Sequence, residues 1–256
     1  MLDEPVYAER AARAADYLLR TLRRGDRLLR AALGGAAQQT AYLDDYACFS
    51  AALLDVYEAT FEQDYLDRAI AFSAVLLSRF WDEQEGGFFF TSVDHDTLIS
   101  RSKSAFDGSV PSGNSVAALV LLRLFYLTEN QDYLNKAETI LRLFYDGMQQ
   151  NPFGFSNMLC ALDFYLRRPK EIVLLAEPTA QDTQILLRQI HGGFIPNKTL
   201  ACFDPADPPK RGMPSLLEGK SQVDGKLTAY VCHNFTCSLP VKTWEEVQPL
   251  ISVSGD

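Results

Sequence analysis

Apolar residues recur at helical spacing through the first two thirds of the chain. Over residues 7–22, Ala11, Ala14, Ala15, Leu18, Leu19 and Leu22 share one face, which predicts a helix stopped by Gly25. The same periodicity predicts helices over residues 44–60, 64–80, 112–128, 132–147 and 155–166. Several of these are apolar on most faces, which places them between layers rather than at a surface. The pattern also repeats. Tyr7, Tyr65 and Tyr133 each stand four residues before an alanine, and Leu53-Leu54, Tyr57 and Thr60 align with Leu121-Leu122, Phe125 and Thr128. Each unit is one helix returning on another, and such pairs bury both faces only by stacking or closing into a ring.

The helical pattern is interrupted between Trp81 and Thr91. Gly86 and Gly87 turn the chain there and three phenylalanines follow, predicting a short hairpin that returns near residues 98–101. The stretch from Arg27 to Arg30 is its expected counterpart after the first helix. Near Pro169 the periodicity changes again. A strand over residues 171–175, a helix over 179–189 and a strand over 199–203 form a minimal β-α-β unit, followed by a proline-rich loop to Pro214. The expected fold is thus mainly α: a partial (α/α) toroid of about three helical hairpins over residues 1–168, then a small α/β segment with a cysteine-containing tail over 169–256.

Charge narrows the partners. With 24 Lys and Arg against 33 Asp and Glu, the net charge is −9, and the basic residues come in small groups. A nucleic-acid surface needs clustered cations, so none is expected. No apolar run is long enough to span a membrane, and Asp3 and Glu4 follow Met1 where a secretory signal would be basic. The expected location is the cytoplasm.

Two polar segments carry the candidate chemistry. One holds Asp44, Asp45 and Tyr46 at a helix start; the other holds Asp107, Ser112 and Asn114 at another. Paired carboxylates there could do acid–base work, with Asp45 and Asp107 as the catalytic pair. Asp44, Tyr46, Ser112 and Asn114 would bind ligand hydroxyls, and Trp81 beside Asp82, Glu83 and Glu85 would offer a face to a sugar. Each residue taken alone is better read as a helix cap or a turn former, and Trp81 as a packed ring beside solvated acids; the two segments taken together favour a functional rim. Cys232 and Cys237 bracket four residues, a spacing that fits packing best and leaves a reversible disulfide or zinc open. No metal site and no cofactor are expected, and no phosphate loop or nucleophile elbow occurs.

Several runs fall in one order: Leu43-Asp44-Asp45-Tyr46-Ala47, Phe80-Trp81-Asp82 with Gly86-Gly87-Phe88-Phe89-Phe90-Thr91, and Asp107-Gly108 with Pro111-Ser112-Gly113-Asn114-Ser115. Leu159-Cys160-Ala161-Leu162-Asp163 and Tyr230-Val231-Cys232 with Asn234-Phe235-Thr236-Cys237 continue it. Together they resemble the C-terminal part of the thioredoxin-domain-containing, spermatogenesis-associated-protein-like family. The resemblance implies a six-hairpin toroid, akin in fold to N-acylglucosamine 2-epimerases and several glycosidases. It also implies that the thioredoxin-like domain and roughly half of the ring are missing from this chain. Those epimerases use histidines inside the ring, whereas His95, His191 and His233 lie outside the predicted ring helices. The leading expectation is a carbohydrate-related domain binding or processing a sugar-like small molecule at the hairpin-end rim. The alternative is a non-catalytic interaction module that completes a toroid as a homodimer or with a separate N-terminal, thioredoxin-domain polypeptide. A redox-linked role through Cys232 and Cys237 is a third.

Overall fold

A computed structural model describes residues 4–34, 36–95, 100–207, 215–234 and 236–252. About 53% of the described residues are helical, and they also form two sheets of three and four strands. Helix α1 spans Pro5–Thr21 and opens on proline, whose missing N–H is one that a first turn leaves unpaired in any case. Helices α2 (Leu43–Thr60), α3 (Gln63–Arg79), α4 (Gly113–Thr128) and α5 (Gln131–Leu143) follow, then α6 (Tyr145–Gln150) and α7 (Ser156–Arg167). The single helix expected over residues 132–147 is broken at Phe144, where the backbone leaves helical geometry. Gly147 in α6 then admits the Phe155 ring against its backbone, which no larger residue could.

Helix α4 packs on α2, α5 and α7, and α2 also packs on α1 and α3. Because α4 is covered on nearly all sides, its apolar residues run almost unbroken from Ala117 to Leu127. The repeat is visible in atomic detail between the second and third units. Phe61 and Glu129 end α2 and α4 in the left-handed region, at φ 58° and 54°. The hydroxyls of Thr60 and Thr128 donate back to Val56 O and Leu124 O and accept from the amides of Glu62 and Asn130. Tyr65 and Tyr133 are then buried, as are Ala69 and Ala137. The first unit departs from this. Tyr7 is 54% exposed, since α1 packs chiefly through Ala12, Ala15, Leu18 and Leu19.

Strands β1 (Arg23–Arg24), β2 (Arg27–Leu33) and β3 (Ala36–Thr40) form an antiparallel sheet, longer than the four residues expected. Among the described residues, the hairpin expected after Trp81 forms no strand pair. A bridge joins Trp81 to Phe88, across a turn in which Gly86 and Gly87 take positive φ. Of the expected return, residues 98 and 99 lie outside the described residues, and Phe90 N donates to Ser102 O at 2.8 Å.

The β-α-β unit is present. Strand β4 (Lys170–Leu175) runs parallel to β5 (Lys198–Phe203) through helix α8 (Gln181–Gly192). Strand β6 (Thr228–His233) joins β4 antiparallel, and β7 (Thr236–Cys237) caps the edge, giving the order β5-β4-β6-β7. Helix α9 (Trp244–Ile251) was not expected from the sequence. Alternation within the strands explains their apolar character. Ile172, Leu174, Leu200 and Val231 face α8 and α9, while Val173, Leu175, Ala201 and Tyr230 join the core of the helical layer.

Glu171, at the start of β4, is buried on the helical side. Burial pushes its carboxyl up to about 7, with Glu129 adding to the shift and Lys220 opposing it. The folded state therefore holds this proton more tightly than the unfolded chain. Stability from it is full below the unfolded pKa and is lost as pH rises through about 7. Glu171→Gln removes that loss: its melting temperature should exceed that of the parent at pH 8 and match it near pH 4, as read by circular dichroism.

Candidate functional site

The starts of α2, α4 and α7 meet at one end of the helical layer, and acidic side chains join them. Asp45 Oδ2 accepts from Tyr42 N at 2.8 Å, closing the first turn of α2, and forms an ion pair with Arg30 at 3.6 Å. The Arg30 guanidinium lies over the Tyr42 ring, 4.8 Å from its centre. Tyr42 in turn stacks on Phe90 at 4.8 Å and on His95 at 5.0 Å. Asp44 points the other way and accepts from Gly113 N, the first amide of α4. Gly113 is required there, because a Cβ would collide with Asp44 and Leu43. Burial pushes the Asp44 carboxyl up, and the Asp45 charge adds to this; the Gly113 amide and Arg30 oppose it.

Asp107 is buried and carries four hydrogen bonds on its two oxygens. Oδ1 accepts from Ser112 N at 2.8 Å and Ser115 Oγ at 2.6 Å, and Oδ2 from Asn157 N at 2.8 Å and Met158 N at 3.3 Å. One carboxylate thus holds the starts of two helices, bonding to amides of α7 that lie fifty and fifty-one residues beyond it in sequence. Ser112 is the N-cap of α4 and accepts from Ser115 N. Asn114 is fully buried. Its amide bonds both the N–H and the C=O of Phe88, at 2.8 and 2.9 Å, and donates to Ser104 O at 2.9 Å. It does for Phe88 what a neighbouring strand would do.

Of the residues selected from the sequence, Asp44, Asp45, Asp107, Ser112 and Asn114 come together at this end. Tyr46 lies one turn inside the core, between Phe72 and Phe80, and its hydroxyl accepts from Leu28 N at 2.8 Å. Trp81 belongs to a separate cleft of about 350 Å3, lined also by Glu83, Glu85, Asp132, Lys136 and Thr139. The Lys136 ammonium sits 4.3 Å from its ring centre, and Phe88 packs on its edge. Cys232 and Cys237 form a disulfide between directly opposed positions of β6 and β7. His233 beside it contacts Arg167 O at 3.3 Å.

A second charged group went unnoticed in the sequence. Arg123 of α4 pairs with Asp55 at 2.7 Å and Glu58 at 3.2 Å, both on α2. Burial pushes the Glu58 carboxyl up, against the pull of Arg123 and Lys198. Glu58 lines a cavity of about 520 Å3 with Phe61, His191 and Lys198. The readable signal was Arg123 itself, a lone charge within the apolar run of α4. Among the described residues, no group of three or more His, Cys, Asp or Glu could hold a metal ion, and no helix is long and apolar enough to cross a membrane.

The fold is that of a predominantly helical protein carrying a mixed sheet, with a rim of capped helix starts. Within that class the chain is homologous to spermatogenesis-associated protein 20 over most of its length. It is 35% identical to the rat protein over 229 residues, covering 86% of this chain and 29% of the relative. The human protein is 35% identical over 213 residues, covering 82% and 27%. The uncharacterized protein B0495.5 of Caenorhabditis elegans is 25% identical over 259 aligned positions, covering 98% and 35%. The chain therefore spans less than a third of the mammalian relatives it matches. No family model matches it.

Replacing Asp107 removes four hydrogen bonds and strands buried donors at two helix starts. Asp107→Ala should lower the unfolding free energy by about 3 kcal/mol, and Ser115→Ala by about 1 kcal/mol. Urea denaturation followed by circular dichroism measures both; equal, small losses would contradict the joining role of Asp107.

Proposed function

We propose that the end where α2, α4 and α7 begin is the ligand-binding rim of an α/α-toroid-type domain, and that its ligand is a sugar. The observation that carries this reading is the state of the two neighbouring carboxyls. Asp45 is tied to Arg30 and to the backbone, while the half-buried Asp44 carboxyl is displaced upward and lies beside it. One carboxyl that holds a proton more readily next to one fixed in an ion pair is a workable acid–base arrangement. Asp107, Ser112 and Asn114 act in this reading as the rigid support that positions Asp44 through Gly113. The stacked Tyr42, Phe90 and His95 supply the aromatic surface on which the apolar face of a sugar ring packs.

A panel of neutral monosaccharides tests the proposal by thermal unfolding. At saturation a sugar of the right class should raise the melting temperature by about 4 °C or more. Asp44→Asn and Asp45→Asn should each abolish that rise. A panel with no effect on the parent protein, or a rise that both variants retain, would sink the proposal.

A second reading is a non-catalytic module that completes its helical layer with another copy of itself or with a thioredoxin-domain polypeptide. Phe153, 92% exposed, lies beside the start of α7 with the exposed Phe106 and Val110, and this favours it. Light scattering across a concentration series should then show a dimer that Phe153→Ser weakens. A monomer at every concentration rules out self-association.

A further inference from the structure

Strands β4 and β5 run in the same direction, so both end at one edge of the sheet. That edge opens into a cavity of about 900 Å3. Crevices beyond the carboxyl ends of parallel strands are where α/β folds hold ligands, because helix starts and strand ends both point there. Helix α8 begins in this cavity. Its N-cap, Ala180, has no side chain to pair with the first-turn amides.

Thr183, in that first turn, lines the cavity. It is only 1% exposed, and its hydroxyl has no hydrogen-bond partner. A buried hydroxyl left unpaired is costly, and a polar atom of a bound molecule would complete it. Trp244, the first residue of α9, stands in the wall with Ile185, Leu186 and Leu227, which makes this side apolar and aromatic. Asp204 leaves the end of β5. Its Oδ1 accepts from Ala206 N at 2.8 Å, and among the described residues no donor reaches Oδ2. An acid at the end of the second strand of a β-α-β unit is placed to receive the two hydroxyls of a ribose.

The charges select against phosphate. Glu177, Asp182, Asp204 and Glu245 line the cavity, against Lys226 and Lys242, and Lys242 is bonded to Asp224 at 2.8 Å. The turn from β4 into α8, Ala176-Glu177-Pro178-Thr179-Ala180, holds no glycine to let a pyrophosphate approach the backbone. We propose that this cavity binds a nucleoside without phosphates. The base packs on Trp244, the ribose hydroxyls donate to Asp204, and the Thr183 hydroxyl takes a polar atom of the ligand.

Adenosine is the first probe, with guanosine, uridine and cytidine, titrated into the whole chain by calorimetry. Saturable one-to-one binding of at least one is expected. Trp244→Leu should weaken it about tenfold or more, through lost stacking. Asp204→Ala should weaken it about tenfold and Thr183→Val about fivefold. Asp204 is exposed enough that its variant tests the site even if Trp244→Leu unfolds, which circular dichroism reports. Asp44→Asn should leave nucleoside binding unchanged, so this inference and the rim proposal fail separately. The proposal is overturned if no nucleoside binds, if glucose binds as tightly as adenosine, or if adenosine 5′-monophosphate binds more tightly. Retained affinity in both Asp204→Ala and Thr183→Val overturns it as well.

Discussion

A helix start presents amide hydrogens that its own turns cannot satisfy, and in this protein three such starts, of α2, α4 and α7, are joined at one end of the helical layer. Asp107 takes one such amide at α4, that of Ser112, and two at α7 with a single carboxylate, and Asp44 reaches from α2 to the first amide of α4. The consequence is directional. Helices whose starts are fastened at one end run the same way, so the connecting helices α3 and α5 must return outside them. Gly113 belongs to this constraint, since the α2 and α4 starts approach too closely there for any side chain. The polar run around Asp107 is therefore first of all an assembly device, whatever ligand its rim receives.

The sheet depends on that layer. Strands β4, β5 and β6 are apolar on both faces because one face closes the helical core and the other carries α8 and α9. Covering both faces is what parallel strands ordinarily need. Covering the inner face also buries Glu171 at the strand start, where its charge is disfavoured. The far ends of α2 and α4, near β5, hold the Arg123 pairs with Asp55 and Glu58, so each end of the helical layer is fixed by charge rather than by apolar contact alone.

Much of this could be read from residue order, and the failures have physical causes. Helical periodicity located most of the elements, and the alignment of Thr60 with Thr128 corresponds to identical hydrogen bonds at two helix ends. The break at Phe144 left no mark, because apolar spacing continues through it. Strands β2 and β3 were mostly missed, since alanine and glutamine are poor strand formers and backbone pairing holds them. The phenylalanines after Gly87 read as a strand. Their backbone is indeed paired, but by the side chain of Asn114, which no local pattern reveals. Capping by Asp107 was foreseeable at α4. Its reach to α7 was not, because that contact crosses about fifty residues.

The same accounting of donors and acceptors separates the two ends of the molecule. At the helix starts nearly every polar atom of Asp107, Ser112 and Asn114 is matched inside the chain, so little remains there for a ligand beyond Asp44 and its neighbours. At the edge of β4 and β5 the balance is reversed. Among the described residues, a helix start without a side-chain cap, a buried hydroxyl with no partner and a carboxylate with one unmatched oxygen surround a cavity that no side chain fills. Residue types alone suggested the first end, which carries the denser cluster of acids and amides. Hydrogen-bonding capacity left over after folding points to the second, and it is that remainder, rather than polarity as such, that a ligand can use.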